Sequence, residues 1–357
     1  MGNSGRSSLF VGSYTVSLPH VAARGEGVTL LELDHASGRL SRVSVLNDVR
    51  NPSYLALGRG GRWIYAVEEL SEAEGASVVT IMVDRQTGRM QTVSRMGALG
   101  DYPCHLTVSG DGRQVFLANY ASGSVVSYAT DEKGLPKGPG QILRREGSGP
   151  DRYRQTGPHA HQVLTSPDGN SIIVCDLGTD EIGIYPLADG RIGTSASDTV
   201  RLVPGSLPRH AVQSEDGEHI FVVTEASSTM VTCIKTSSGF VRANEISTLP
   251  PDCSAVSACS AVRLHPGGRY LYAANRGHDT IAAFSVGSNG ALSRIGWFDT
   301  RGAIPRDFAI DPSGRFMAVA NQDGHSLSVH EIDGQDGSLR PIGETFPIGS
   351  PACVMWA

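Results

Sequence analysis

Six stretches of the chain repeat one arrangement of hydrophobic and polar positions: a proline or small residue, an apolar run, a glycine-centred turn, then a second apolar run. They read NPSYLALGRGGRWIYAVEEL from Asn51, YPCHLTVSGDGRQVFLANYA from Tyr102 and HAHQVLTSPDGNSIIVCDLG from His159. The other three are LPRHAVQSEDGEHIFVVTEA from Leu207, ACSAVRLHPGGRYLYAANRG from Ala258 and IPRDFAIDPSGRFMAVANQD from Ile304. Runs such as LYAANR and FVVTEA alternate apolar with polar positions and are rich in β-branched and aromatic residues, which predicts strands. The turns carry DG, GG or SG, which accept positive φ at little cost, so each stretch predicts a β-hairpin. Further alternating runs follow, such as SVVSYATD from Ser124 and TIAAFSVG from Thr280, and then a second glycine turn (DRQTGRM, DEKGLP, GSNGAL, DGQDGSL). These supply two outer strands per repeat. Helical periodicity is nearly absent.

The steps between Ser53, Cys104, His161, Arg209, Ser260 and Arg306 are 51, 57, 48, 51 and 46 residues, a period that fits four-stranded propeller blades and exceeds leucine-rich or ankyrin repeats. The chain ends in SPACVMWA, which reads as an inner strand only. It begins with SSLFVGSYT and GVTLLELDHASGRLS, which read as the three strands such an ending lacks. Joined across the termini they make a seventh blade, because circular pairing removes an otherwise unpaired edge. The expected architecture is therefore all-β: one seven-bladed β-propeller domain over residues 1–357.

In a hairpin the start of the inner strand lies beside the end of its partner. A constant offset of 16 residues pairs Ser53 with Glu69, Cys104 with Tyr120, His161 with Leu177, Arg209 with Glu225, Ser260 with Arg276 and Arg306 with Gln322. All twelve positions should face one mouth of the central channel. The strand interiors are apolar, yet this ring holds three arginines, a histidine and two glutamates. His105 and His210 adjoin it, and His159 precedes His161 by two residues, on the same face. His20, His35, His219, His265 and His330 fall on loops or outer strands and read as structural or exposed.

Composition narrows the partners. A formal charge of -6 and a pI near 6.0 argue against nucleic acid, whose phosphates demand a basic surface. No apolar stretch is long enough to span a bilayer, and the N-terminal apolar run is too short for a secretory signal, so a cytoplasmic protein is expected. The six cysteines have neither CxxC nor metal-ligand spacing and are expected to be free thiols. No phosphate loop, nucleophile elbow or metal-binding helix motif occurs, and no cofactor or metal is called for.

The string GPHAHQVLTSPDGNSIIVCDLGTDEI from Gly157 resembles the hallmark of the bacterial lactonase family of propellers. Supporting matches are ANYASGSV from Ala118, PRHAV from Pro208, ANRGHDTIAAFSV from Ala274 and PRDFAIDPSGRFMAVANQD from Pro305, so the likeness spans essentially the whole chain. The first blade departs from it with GRGGR where a PDG turn is usual, and the fourth with SEDGE. The family contains 6-phosphogluconolactonases and is related to fungal carboxy-muconate lactonizing enzymes. The resemblance implies four acting residues, His161, Arg209, Glu225 and Arg276, which the register singles out independently.

Opening a δ-lactone needs a base for water and donors for the oxyanion. His161 suits the base, with Glu225 the alternative and His159 a rival. Arg209, Arg276 and Arg306 suit a phosphate or carboxylate. Glu69, Tyr120, Gln322, His105 and His210 complete the expected binding surface. The expected partner is a small anionic lactone or carboxylate, handled by a monomer or weak homo-oligomer. The alternatives are a cycloisomerase using the same four residues and a non-catalytic binding propeller, which a charged mouth disfavours.

Overall fold

The computed structural model describes residues 5–357; the four N-terminal residues, and with them that edge of the expected domain, lie outside the described residues. The strands form seven antiparallel sheets. In six of them the order from the axis outward is the order of the sequence, as in the second blade, Pro103–Val108, Gln114–Asn119, Ser124–Thr130 and Pro136–Arg144. The seventh is closed as expected. Pro351–Trp356 is its inner strand and pairs antiparallel with Arg6–Ser13, Leu9 facing Trp356 and Val11 facing Val354.

One sheet departs from four strands. In the third blade the long strand Glu181–Ala188 pairs along its first half with Asp198–Arg201 and at its end with Arg191–Ile192. The cause is local: Asp189 and Gly190 both take positive φ (49° and 73°), the two-residue turn that returns a strand on itself.

Alternation along the strands sorts residues between neighbouring blades rather than between core and water. Leu9 and Val11 pack with Phe316, Ala318 and Leu327 of the sixth blade, while Phe10 packs with Ile64 and Val79 of the first. The second strands are therefore buried on both faces; all of Gln114–Asn119 is buried. That corrects the alternating apolar and polar pattern expected of them, since a strand sandwiched between sheets has no solvent face. Where blades converge the backbones nearly touch. A Cβ on Gly12 would lie 1.9 Å from the Pro52 carbonyl oxygen, so no side chain fits there.

The recurring Ala-Asn of ANYA, ANRG and ANQD has a structural explanation. Asn119, Asn275 and Asn321 are buried and donate through Nδ2 to the carbonyls of Ala98, Thr248 and Thr300 at 2.9, 3.0 and 3.0 Å, tying each second strand to a segment outside its hairpin. All six cysteines are free, five of them buried.

Deleting residues 351–357 would leave Arg6–Ser13 with an unpaired edge and remove the buried Val354 and Trp356. The truncated chain should aggregate or melt well below the full chain. Size-exclusion chromatography and thermal melting test this, and matching behaviour of the two chains would refute the closure as a source of stability.

Candidate functional site

The ring of positions read from the register is built by an irregularity repeated around the channel. In six blades the inner-strand ladder shifts register at one place, and the residues there are Ala352, Cys104, His161, Arg209, Ser260 and Arg306. In the first blade pairing begins only at Leu55, past Ser53. A β-bulge re-aims its side chain, and here the position is the one facing the channel mouth. The offset pairs are consequently not direct cross-strand partners, which corrects the plain hairpin reading. Instead the backbone N–H of Glu69, Tyr120, Leu177, Glu225 and Gln322 donates to the carbonyl two residues before the bulge position, at 2.7 to 3.2 Å.

Those carbonyls are held by an unusual backbone. Asn51, Tyr102, Leu207, Ile304 and Ser350 have φ between 40° and 59°, and each precedes a proline. Residues before proline normally stay extended, and the left-handed region costs a non-glycine residue about 1–2 kcal/mol. His159 and Ala258, the equivalents in blades without this proline, are not in that region.

Arg209, Glu225 and Arg276 come together. Glu225 Oε2 accepts from Arg276 at 2.8 Å and lies 3.3 Å from Arg209 Nε, while Oε1 accepts from Arg154 at 2.9 Å. Arg209 also donates to the Ser260 carbonyl, and Arg276 to those of Ala258 and Cys259. Arg276 is thus engaged by Glu225 and the backbone. Burial by itself would raise the Glu225 pKa, but Arg276, Arg209 and Arg154 together pull it down to about 2.

Across the mouth stands a second group. Tyr14 donates to Glu69 at 2.8 Å, His20 lies 3.3 Å from the Tyr14 hydroxyl, and the Arg306 guanidinium sits 5.2 Å from the Tyr14 ring centroid. His20 therefore belongs to the mouth, against the expectation that it is a bystander. Burial, then Arg306, Arg276 and Arg209, bring its pKa down to about 4.

The aromatic residues link the two groups along the channel. Tyr120 stacks on His159 at 4.6 Å, and His159 is pinned by the Tyr120 carbonyl and the Asp176 carboxylate. His161 lies edge-on to Tyr120 and to His210. His105 and His210 sit one residue further into the channel, against each other and Tyr54. All three channel histidines are buried, and burial with the nearby arginines keeps their pKa well below the usual value, so they are neutral. His161 Nδ1 is buried with no hydrogen-bond partner among the described residues.

Beside the ring, between the fifth and sixth blades, a cleft of about 310 Å³ is lined by Arg276, Arg306, Gln322 and Asp323 and flanked by His20 and Val256. The mouth sets four guanidiniums (Arg154, Arg209, Arg276, Arg306) against two inner carboxylates (Glu69, Glu225), with Asp323 at the exposed rim of the cleft. The arrangement favours an anionic ligand and any oxyanion formed beside it.

The sequence reading missed Arg154, Tyr14 and His20. Arg154 lies on the irregular segment before the third blade, where no register relates it to the ring. Tyr14 was legible: its N–H donates to the Ser350 carbonyl, the same bond as in other blades, so counting the offset through the closure pairs it with Ala352.

The model of one protein family, described as "Lactonase, 7-bladed beta-propeller", matches residues 8–356. The chain is 31% identical over 348 residues to a Bacillus subtilis protein named 6-phosphogluconolactonase, covering 97% of each. It is 28% identical over 361 residues to one of that name from Formosa agariphila, covering 98% of this chain and 99% of the relative. A solved structure described as the periplasmic gluconolactonase of Pseudomonas aeruginosa superposes with a TM-score of 0.89 at 28% identity, covering 99% of each chain. That neighbour is periplasmic, so the likeness leaves the expected cytoplasmic location open; no helix among the described residues is long and apolar enough to cross a membrane.

Glu225→Gln leaves the guanidiniums of Arg154, Arg209 and Arg276 without their carboxylate, and near pH 7 it should cost about 3–5 kcal/mol of stability. A carboxyl whose pKa falls from 4.5 to about 2 on folding contributes stability above pH 4.5 and loses it as the pH drops towards 2. Urea denaturation should accordingly show the gap between native and variant chains shrinking across that window. A gap that stays constant would mean the carboxylate is not held by these arginines.

Proposed function

The chain belongs to the lactonase family of seven-bladed β-propellers, and from that membership we propose that it hydrolyses an anionic sugar δ-lactone of the 6-phosphogluconolactone class. The observation that carries this reading is the excess of guanidinium over carboxylate at one channel mouth, beside a buried neutral imidazole.

His161 is the base in this scheme. Both Glu225 oxygens are occupied by guanidiniums and its carboxylate is a very weak base, whereas the neutral His161 ring is engaged in no hydrogen bond with a described residue, its Nδ1 facing the interior. Water loses a proton to His161 as its oxygen bonds to the lactone carbonyl carbon. The carbonyl oxygen becomes an oxyanion facing Arg209 and Arg276. As the intermediate collapses, the bond from that carbon to the ring oxygen breaks and His161 returns the proton to the departing oxygen. The new carboxylic acid ionises, so one proton is released per turnover. The surrounding arginines make a lasting imidazolium costly, so His161 holds the proton only briefly. Glu225 acts by positioning Arg209 and Arg276. The cycloisomerase alternative would use the same residues to move a proton to or from carbon, but the names of the relatives support hydrolysis.

The test is acid release from phosphorylated gluconolactone, gluconolactone and carboxy-muconate by the purified chain. Turnover of the phosphorylated lactone is expected, and turnover of the muconate alone would refute the reading. His161→Ala should lower kcat by about 100-fold or more with the fold intact. Because the His161 pKa lies well below 6.5, the native rate should stay flat from pH 8 down through 6.5. A fall centred near 6.5 would mean another group is the base.

A further inference from the structure

Of the four guanidiniums at the mouth, three share Glu225 and one has no partner. Arg306 makes no hydrogen bond or ion pair with any described residue; its only close companion is the Tyr14 ring, whose hydroxyl is turned to Glu69. It is half-buried, on an inner strand between Pro305 and Asp307, both buried. A charge withdrawn from water is costly without a counter-charge, and the Tyr14 face offsets that cost only in part. The protein pairs Arg209, Arg276 and Arg154 directly with a carboxylate, whereas Glu69 and Glu225 act on Arg306 only without contact. Its guanidinium is left free to pair with an anion brought by a ligand.

The cleft beside Arg306 shows what kind of ligand fits. On one wall is Arg276, on another Gln322, which is 2% exposed. Gln322 donates from Nε2 to Asp323 at 2.8 Å, and its Oε1 is buried without a partner among the described residues. An unpaired guanidinium and an unpaired amide oxygen thus adjoin one cleft: a fork for an anion, and an acceptor for a hydroxyl. A phosphate ester on a polyol carries both groups. The Asp323 carboxylate stands at the exposed rim, where it repels an anion that does not reach Arg306.

We propose that this cleft is the phosphate subsite and that Arg306 is the residue selecting a phosphorylated over an unphosphorylated lactone. The assignment rests on the lactonase reading for the identity of the rest of the ligand. It also orients that ligand, with the phosphate between the fifth and sixth blades and the lactone carbonyl towards His161, Arg209 and Glu225. Arg276, which lines the cleft and binds Glu225, joins the two regions.

The experiment compares calorimetric binding of 6-phosphogluconate and gluconate to the full chain, its Arg306→Gln variant and its Arg306→Lys variant. Both probes carry the carboxylate, so their difference reports the phosphate. The native chain should prefer the phosphorylated acid, and Arg306→Gln should reduce that preference by about 10- to 100-fold, the range expected for hydrogen bonds to a charged group. Arg306→Lys, which keeps the charge but not the fork, should restore part of it. Without ligand, Arg306→Gln should melt within a few degrees of the native chain, because no hydrogen bond or ion pair is lost. Equal weakening of both acids, an unchanged preference, no preference in the native chain, or a marked drop in the variant's melting point would each overturn the assignment. If the native chain shows the preference and the variant loses it, yet neither lactone is hydrolysed, the subsite stands and the lactonase reading falls.

Discussion

Seven sheets can surround one axis only if the ring closes, and closure fixes nearly everything else here. The pairing of Pro351–Trp356 with Arg6–Ser13 joins the two ends of the chain in one sheet, and each blade then buries both faces against its neighbours. Closure also lays Arg306 of the sixth blade against Tyr14 of the seventh, while Tyr14 reaches Glu69 of the neighbouring first blade. The contact of Arg306 with Tyr14 is therefore a product of the seam.

A closed ring of strands would by itself line the channel with the small and apolar residues that let blades converge, as at Gly12. The repeated bulge is what introduces chemistry. It adds one residue at the entrance of an inner strand and directs that side chain to the mouth, so Arg209, His161 and Arg306 can be charged or polar while the next turn of strand stays packed. The left-handed residue before proline is a strain of this device, carried in five blades and stabilised by the second-strand N–H that each carbonyl accepts.

Charge at the mouth is divided unevenly. Three arginines converge on Glu225, which keeps the carboxylate ionised and the guanidiniums ordered. Ordering donors before a negative charge develops is how such a site lowers a barrier without reorganising. The same field keeps His161 neutral, a state that can accept a proton but not retain it. Arg306, left without a direct ion pair, lines the cleft.

The repeat, the count of seven, the terminal closure and the placing of Arg209, Glu225 and Arg276 at one mouth are written in the sequence. These follow from local rules: strand periodicity, turn glycines and a constant offset of 16, all visible in one dimension. Which arginine lacks a direct ion pair is settled in three dimensions. Whether Arg276 or Arg306 has a partner depends on contacts between blades, and no spacing within a hairpin encodes them. Arg154 and His20 stayed hidden for the same reason, since irregular segments reach the mouth through packing rather than register. The neutrality of His161 was likewise undecided until its burial and the surrounding guanidiniums were known, because a pKa is set by neighbours in space and not by neighbours in sequence.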